Sequence, residues 1–331
     1  LEPIKPSSCL ARGTAAMTDP FYRPERALIT GGAGFIGSHL ASTLLEDGVR
    51  VRILDDLSSG HRTNVPAGAE LVEASVVDEP QVRRAVMGCE AVFHLAAEVS
   101  VPRTVEDPVR AFAINVAGSD GVFRLAAEAG ARSIVFASSA AVYGPAPSLP
   151  SREQDPIRCA SPYAAHKAAG EHLLEALARV KDLHAASLRF FNVFGPRQDP
   201  KSAYAAVISA FMDAAAAGRR PIVFGDGSQT RDFVPVANVV EALRRAADPA
   251  RRLRGEVFNV GLGGRRSLLD LLAVLSRLVG RDLAPEFRPS RAGDVPHSQA
   301  DVSRAREGLG YRGEVGFEEG LRRTLAWARG G

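Results

Sequence analysis

Tyr163 and Lys167, four positions apart, are the residues of this sequence best suited to moving a proton. On a helix they share one face. A phenol has an ordinary pKa near 10 and is a poor base at neutral pH. An ammonium beside it favours the phenolate, and lowering the pKa by one takes about 1.4 kcal/mol of such preference. Such a tyrosine can take the proton of an alcohol or sugar hydroxyl while hydride leaves the same carbon. Ser139 ends an apolar run that begins at Ser133, and it is expected to share a hydrogen bond with the reacting oxygen. By itself the pair fits helix-surface decoration equally well. It acquires meaning only beside a hydride acceptor.

A second stretch predicts that acceptor. Leu28-Ile29-Thr30 runs into Gly31, Gly34 and Gly37, with Phe35 and Ile36 between the last two, and a helical pattern follows from Ser38. Strand, glycine turn and helix is the arrangement that grips a dinucleotide pyrophosphate, and the helix start offers unpaired amides to the anion. The spacing is G-x-x-G-x-x-G. Asp55 stands 24 positions after Gly31, at the end of a strand pattern over 49–54. A carboxylate there takes the adenosine ribose hydroxyls and disfavours a 2′-phosphate, which predicts NAD rather than NADP. The positive nicotinamide ring then adds to the effect of Lys167 on Tyr163.

The elements that must position these groups repeat as strand and helix. Further strands are expected over 70–77, 91–97, 133–139 and 183–191, and helices over 82–87, 104–129 and 163–180. That alternation implies an α/β fold, a Rossmann-like doubly wound parallel sheet whose strand ends share one rim. Composition changes near residue 190. We expect a cofactor domain over 25–190, with segments near 231–262 returning to it. A smaller mixed α/β substrate domain is expected from 191–230 and 263–331. Residues 1–24 read as a disordered extension or a cloning remnant, with Met17 a candidate start.

Composition sets outer bounds. The chain has 331 residues and a net charge of +3, and no run of Lys or Arg exceeds two. Neither a nucleic-acid nor a membrane partner is expected from that pattern, and a pocket for a polyanionic small molecule is compatible with it. Three widely spaced cysteines suggest neither a disulfide framework nor a metal site. The cytoplasm is the expected compartment.

The sequence resembles the extended short-chain dehydrogenase/reductase family, in its NAD-dependent nucleotide-sugar 4-epimerase branch. The resemblance is carried by residues 30–40 (TGGAGFIGSHL), 54–60 (LDDLSSG), 94–97 (HLAA) and 115–119 (NVAGS). It continues through 138–144 (SSAAVYG), 161–167 (SPYAAHK), 188–197 (LRFFNVFGPR), 224–233 (FGDGSQTRDF) and 291–296 (RAGDVP). The resemblance implies that Gly31, Gly34, Phe35, Ile36 and Gly37 line the NAD pyrophosphate and that Asp55 holds the adenosine ribose. Ser75 and Val76 then lie by the adenine. Leu95, Ala96, Ala97 and Asn115 form part of the cofactor site. Tyr163 is base and then acid, Lys167 lowers its pKa and binds the nicotinamide ribose, and Ser139 and Ala140 stand by the sugar O4.

On the substrate side, the resemblance places Asn192 and Arg231 at the phosphates and Arg291 on the diphosphate. It places Asp294 at the uridine ribose, Phe224 near the uracil and Ser100 within reach of the sugar. Arg103 reads as a solvated surface charge. Ala140 and Ala141 stand where related dehydratases and decarboxylases carry acids, so elimination chemistry is not expected. Ser298 replaces a bulky tyrosine of some relatives and leaves room for an N-acetyl group. Arg197 or Lys201 could instead receive a C6 carboxylate. The expected activity is therefore inversion of a UDP-hexose at C4, on UDP-glucose/UDP-galactose or their N-acetylated forms. Open alternatives are UDP-glucuronate epimerisation, a dehydrogenase or reductase of the same family, and a non-catalytic NAD-binding scaffold. A homodimer is expected, through the helix around 115–129 and the Tyr163 helix. No metal is expected.

Overall fold

The computed structural model describes residues 21–146, 148–199, 207–290 and 295–330. Expectations for residues 1–20, including Met17, and for Lys201, Arg291 and Asp294 lie outside these residues.

Seven parallel strands make the main sheet: β1 (Arg26–Thr30), β2 (Arg50–Asp55), β3 (Glu70–Glu73), β4 (Ala91–His94), β5 (Ser133–Ser139), β6 (His184–Phe190) and an edge strand, Arg254–Val260. Their spatial order is edge strand, β6, β5, β4, β1, β2, β3. Every residue of β4 and of β6 is buried, as a parallel strand covered on both faces requires. The order reverses between β1 and β4, and at such a switch point the strand ends part to leave a crevice. The sheet is the Rossmann-like arrangement the sequence predicts, and the expected returning segment is its edge strand.

Helices cover both faces. On one face, Leu40 and Leu44 of α1 (Phe35–Glu46) join Val239 and Leu243 of the helix Val236–Ala246. On the other, Val82 of α2 (Glu79–Val86) joins the second core cluster. The helix expected over 104–129 is broken into α3 (Val101–Glu106), α4 (Pro108–Phe112), a π-helical turn (Ala113–Gly118) and α5 (Ser119–Glu128). The breaks have local causes. Ser100 and Asp107 each accept an amide three residues on, and a proline follows each cap and suits a first helical turn. Phe123 of α5 and Leu174 of α6 (Pro162–Lys181) complete this face. Ser161 caps α6 by accepting the Ala164 amide at 3.2 Å.

Three short strand pairs lie beyond β6: Asn192–Phe194 with Phe233–Pro235, Ile222–Phe224 with Glu286–Arg288, and Thr230–Arg231 with Arg266–Ser267. A separate core serves the helices Val207–Ala216, Leu268–Val279 and Phe317–Ala328, and includes Phe211, Leu271, Leu275 and Leu321. At the other end of the described chain, Arg244 Cζ lies 3.8 Å from the centre of the Phe21 ring, and Tyr22 packs on the sheet core. Ordered packing thus precedes residue 25.

Candidate active site

The glycine turn sits at the end of β1. Gly31 has φ +70°, and a Cβ there would lie 2.8 Å from the backbone nitrogen of Ala96. Glycine is therefore required both by the left-handed conformation and by the approach of the β4 end. A Cβ on Gly37 would collide with the Gly31 carbonyl, so α1 can start this close to the turn only without one. Gly34 is different, because the nearest atom to its Cβ position is the Gly31 oxygen at 3.2 Å. No side chain caps α1, which leaves the amides of its first turn for an anion. Asp55, buried at the end of β2, accepts the Ala33 amide at 2.9 Å on Oδ2 and the Leu57 amide at 2.9 Å on Oδ1. It ties the turn to the rim, and each oxygen keeps a lone pair for a hydroxyl. Burial raises its pKa, although both amide bonds act to lower it.

Beneath the turn lies a buried hydrogen-bond relay. The Ser119 hydroxyl donates to the Asn115 carbonyl at 2.7 Å, so His94 Nε2, 2.8 Å from Ser119 Oγ, must donate to that oxygen. This assigns the His94 tautomer, and Nδ1 accepts from the Thr30 hydroxyl at 2.7 Å. Thr30 Oγ1 in turn accepts the Leu95 and Ala96 amides, each at 3.2 Å. Burial pushes His94 down to about 3, so it stays neutral. Asn115 sits in the π-helical turn and pairs both arms of its amide with the Glu98 backbone, accepting at 2.8 Å and donating at 2.9 Å. Its contribution in the chain alone is to hold the loop 95–98. A histidine inside an apolar strand was the sequence signal.

Tyr163 and Lys167 share the sheet-facing side of α6, over the end of β5. Lys167 is buried, donates to the Ala137 carbonyl at 2.8 Å, and lies 4.8 Å from the Phe136 ring centre. Burial brings it down to about 8. It stands 5.9 Å from the Tyr163 ring centre. Desolvation raises the Tyr163 phenol, and the Ser139 side chain hydrogen-bonds it and acts in the opposite direction. The chain by itself thus leaves Tyr163 above its ordinary pKa. Lowering it needs a further positive charge at the site. Ala140 and Ala141 open the 3₁₀ turn after Ser139, with no acid between Ser139 and Tyr143.

Uncapped helix, strand-end carboxylate, small residues at the β4 end and a phenol–lysine pair on one rim fit a dinucleotide. A model of the NAD dependent epimerase/dehydratase family matches residues 27–261. The chain belongs to that family. It is 43% identical over 311 residues to the UDP-glucose 4-epimerase of Mycolicibacterium smegmatis, covering 92% of this chain and 98% of the relative. The solved structure of Thermotoga maritima UDP-glucose 4-epimerase with UDP-glucose has a TM-score of 0.87 and 37% identity, over 92% of this chain and 99% of that one. A UDP-N-acetylglucosamine 4-epimerase from Methanobrevibacter ruminantium, in complex with UDP-N-acetylmuramic acid, has a TM-score of 0.88 and 34% identity, over 93% and 99%.

The other residues expected at this family site divide by placement. Arg231 and Ser298 come together: Ser298 N donates to the Thr230 carbonyl at 3.0 Å, and Arg231 Nη1 donates to that carbonyl at 3.0 Å and to the Pro296 carbonyl at 3.3 Å. Asn192 adjoins them, its amide donating to the Asp232 carbonyl. Phe224 is half-buried at the end of its strand. Ser75 is half-buried, whereas the Val76 side chain is buried in the core close to Gly118. Three further residues are held by local contacts. Ser100 is buried as the cap of α3, with its oxygen accepting the Arg103 amide at 3.2 Å, so its first role is structural. Arg197 donates to Ser42 of α1 at 3.3 Å, which seats the 195–199 loop on that helix. Arg103 is exposed and 3.7 Å from Glu98, the solvated charge expected. A cleft of about 630 Å³ lined by Arg132, His184 and Arg254 lies at the opposite rim, where these strands begin, and contains none of these groups.

Proposed function

We propose that this chain is an NAD-dependent 4-epimerase of UDP-hexoses, with or without a 2-acetamido group. The observation that carries the reading is the meeting of Ser139, Tyr163 and Lys167 on the glycine-turn rim, with alanines at 140 and 141. The turn Gly31–Gly37, Asp55, the loop held by Asn115, and Lys167 are the residues to hold the cofactor. The bound dinucleotide supplies the hydride acceptor and, through its positive ring, the charge that Tyr163 lacks in the chain alone. Tyr163 takes the O4 proton as C4 is oxidised to a ketone, and returns it when C4 is reduced from the other face. Ser139 bonds the same oxygen and keeps it in line with the phenol. Rotation of the ketone about its diphosphate linkage between the two steps inverts C4. Binding energy then belongs on the nucleotide half, where Asn192 and Arg231 stand for the phosphates and Phe224 for the base. Ser298, beside Arg231, leaves room for an acetamide.

We divide the chain into a cofactor domain, 25–190 with 231–262, and a substrate domain, 191–230 with 263–331; the separate core around Phe211, Leu271 and Leu321 supports this. We also propose a homodimer, through α3, α4 and α6 rather than α5. Val122, Phe123, Leu125 and Ala126 of α5 are already buried within the chain. Val109 and Phe112 of α4 are 80% and 53% exposed, and Phe112 meets His166 of α6 edge-on at 6.0 Å. Exposed Val101 and Val105 extend the patch along α3. Cys89 and Cys159 are free, as suits a reducing cytoplasm.

The test is incubation with UDP-glucose, UDP-N-acetylglucosamine and UDP-glucuronate, each without added NAD. The reading expects the 4-epimer of one of the first two to form with no net NADH. Net NADH, or no inversion even with NAD added, overturns it. Sedimentation of Phe112→Asp should give a monomer where the unaltered chain gives a dimer; a dimeric variant removes that interface.

A further inference from the structure

Glu171 lies on α6 one turn beyond Lys167, and its side chain is only 2% exposed. Its carboxylate does three things. It accepts the hydroxyl of Ser138, the neighbour of Ser139. It accepts a two-bond fork from Arg189 of β6, Nε to Oε1 at 2.9 Å and Nη2 to Oε2 at 2.7 Å, and Arg189 is itself 3% exposed. Spaced i, i+4 from Lys167, it shares that residue's face of the helix. A buried ion pair is poor evidence for stability, because desolving both charges offsets most of their attraction. One that touches both the strand end bearing Ser139 and the helix bearing Lys167 has another use available.

We propose that Glu171 is a positioning residue for the catalytic pair. Its carboxylate fixes the Ser138–Ser139 strand end and places negative charge one helical turn from Lys167, while Arg189 holds the carboxylate in place. This rests on the reading of Ser139, Tyr163 and Lys167 as the catalytic group.

His94 on β4 and His166 on α6 both have lowered pKa values through burial, with the charge of Lys167 adding to the effect. Tyr163 on α6 and Tyr143, whose ring centre is 4.8 Å from Arg189 Cζ, are both raised by burial and stay neutral. Cys159 is raised by burial, with the charge of Glu171 adding to the rise. Burial opposes the charge of Arg189, and its bonds to Glu171 more than offset that. Glu171 and Arg189 thus pair between α6 and β6, with Glu171 one turn from Lys167. Burial lowers Lys167 and Glu171 raises it. Without the carboxylate, Lys167 loses the negative charge that opposes its burial, so its proton leaves at lower pH.

The experiment is the pH dependence of kcat for the NAD-loaded protein, unaltered and as Glu171→Gln. The variant should lose at least tenfold in kcat at pH 8, and its alkaline limb should shift by half a pH unit or more toward acid. The deficit should narrow toward pH 6. Should Glu171→Gln fail to fold, Glu171→Gln with Arg189→Met removes both charges, and Ser138→Ala removes only the hydroxyl bond. The double variant should keep the shifted limb although no unpaired charge remains. Ser138→Ala should lower kcat severalfold with the limb unmoved. Full recovery of the limb in the double variant, or an unshifted limb in a folded Glu171→Gln protein, overturns the proposal. Tyr163→Phe is run alongside: activity there overturns the reading of the pair, whereas an inactive Tyr163→Phe beside a normal Glu171→Gln overturns the role of Glu171 alone.

Discussion

The cofactor half and the substrate half of this molecule are organised by different means. At the glycine turn, position is fixed by backbone packing: Gly31 against Ala96, Gly37 against Gly31, and Thr30–His94–Ser119 beneath. In the substrate half, strands of two or three residues pair in isolation, and the Ser298 backbone is tied to the Thr230 carbonyl. A rigid seat suits a cofactor that stays. A lightly braced wall suits a site in which a sugar turns over. The contrast implies that changes at the rim abolish function outright, whereas changes in the wall redirect it.

The sharpest way to break this contrast is Tyr163→Phe. Loss of the phenol should reduce UDP-hexose epimerisation by about 10²–10⁴-fold. Binding of UDP, measured calorimetrically, should be retained, since the residues proposed to hold the nucleotide lie on the other wall. Retained turnover would place the proton transfer elsewhere.

Next in size is a pair of glycine substitutions. Gly31→Ala and Gly225→Ala both force a left-handed conformation, at φ +70° and +79°, each costing about 1–2 kcal/mol. Only at Gly31 does the new Cβ meet backbone, at 2.8 Å; at Gly225 the nearest atom is 3.8 Å away. Gly31→Ala should lower Tm further and abolish the rise in Tm that NAD gives the unaltered chain. Gly225→Ala should keep that rise. Equal losses of the NAD effect would show that the two halves are not independently organised.

The same contrast explains what could be read from the sequence. β5 falls at its expected limits, and β2 and α6 within one residue of theirs, because apolar runs, caps and periodicity are local signals. The rim residues Gly31, Asp55, Ser139 and Tyr163 were legible because strand-end position follows from the strand–helix alternation. The π-helical turn at Asn115 was not, since a change of hydrogen-bond register leaves no mark on composition. Nor was the helix Val236–Ala246 or the part played by Asp232. Two-residue strands have no period to detect, and the bonds of Asp232 to Leu262 and Ala300 cross 30 and 68 positions. The position of Arg197 was missed because its partner, Ser42, lies 155 positions away on α1.

Substrate choice offers a smaller and more selective test. Ser298→Tyr should reduce kcat/KM for the acetamide-bearing UDP-sugar by about tenfold or more relative to UDP-glucose, the scale of steric discrimination in a pocket. An unchanged ratio would move the specificity determinant away from the 296–298 segment.

The smallest effect concerns the joint between the halves. Asp232 is buried and accepts the amides of Leu262 at 2.8 Å, Gly263 at 2.9 Å and Ala300 at 3.1 Å. Burial pushes its pKa up to about 6, although those amides act to lower it. Unfolded, it returns to the ordinary value of 3.8. The folded chain therefore holds this proton more tightly. The resulting stabilisation is fully present below about pH 4 and is lost as pH rises through 6, about 1 kcal/mol of it between pH 5 and 7. The buried histidines His94 and His184 act in the opposite sense, because burial lowers their folded pKa values and they gain stability over the same interval. Net stability is thus a poor readout, and the difference between two proteins is the useful one. Urea unfolding of the unaltered chain and of Asp232→Asn at pH 5 and pH 7 should show the asparagine variant losing less, or gaining more, over that interval by about 1 kcal/mol. Parallel pH dependences would mean that Asp232 is already ionised at pH 5, with its three amide bonds outweighing its burial, and the joint would then brace the two halves by charge rather than by a retained proton.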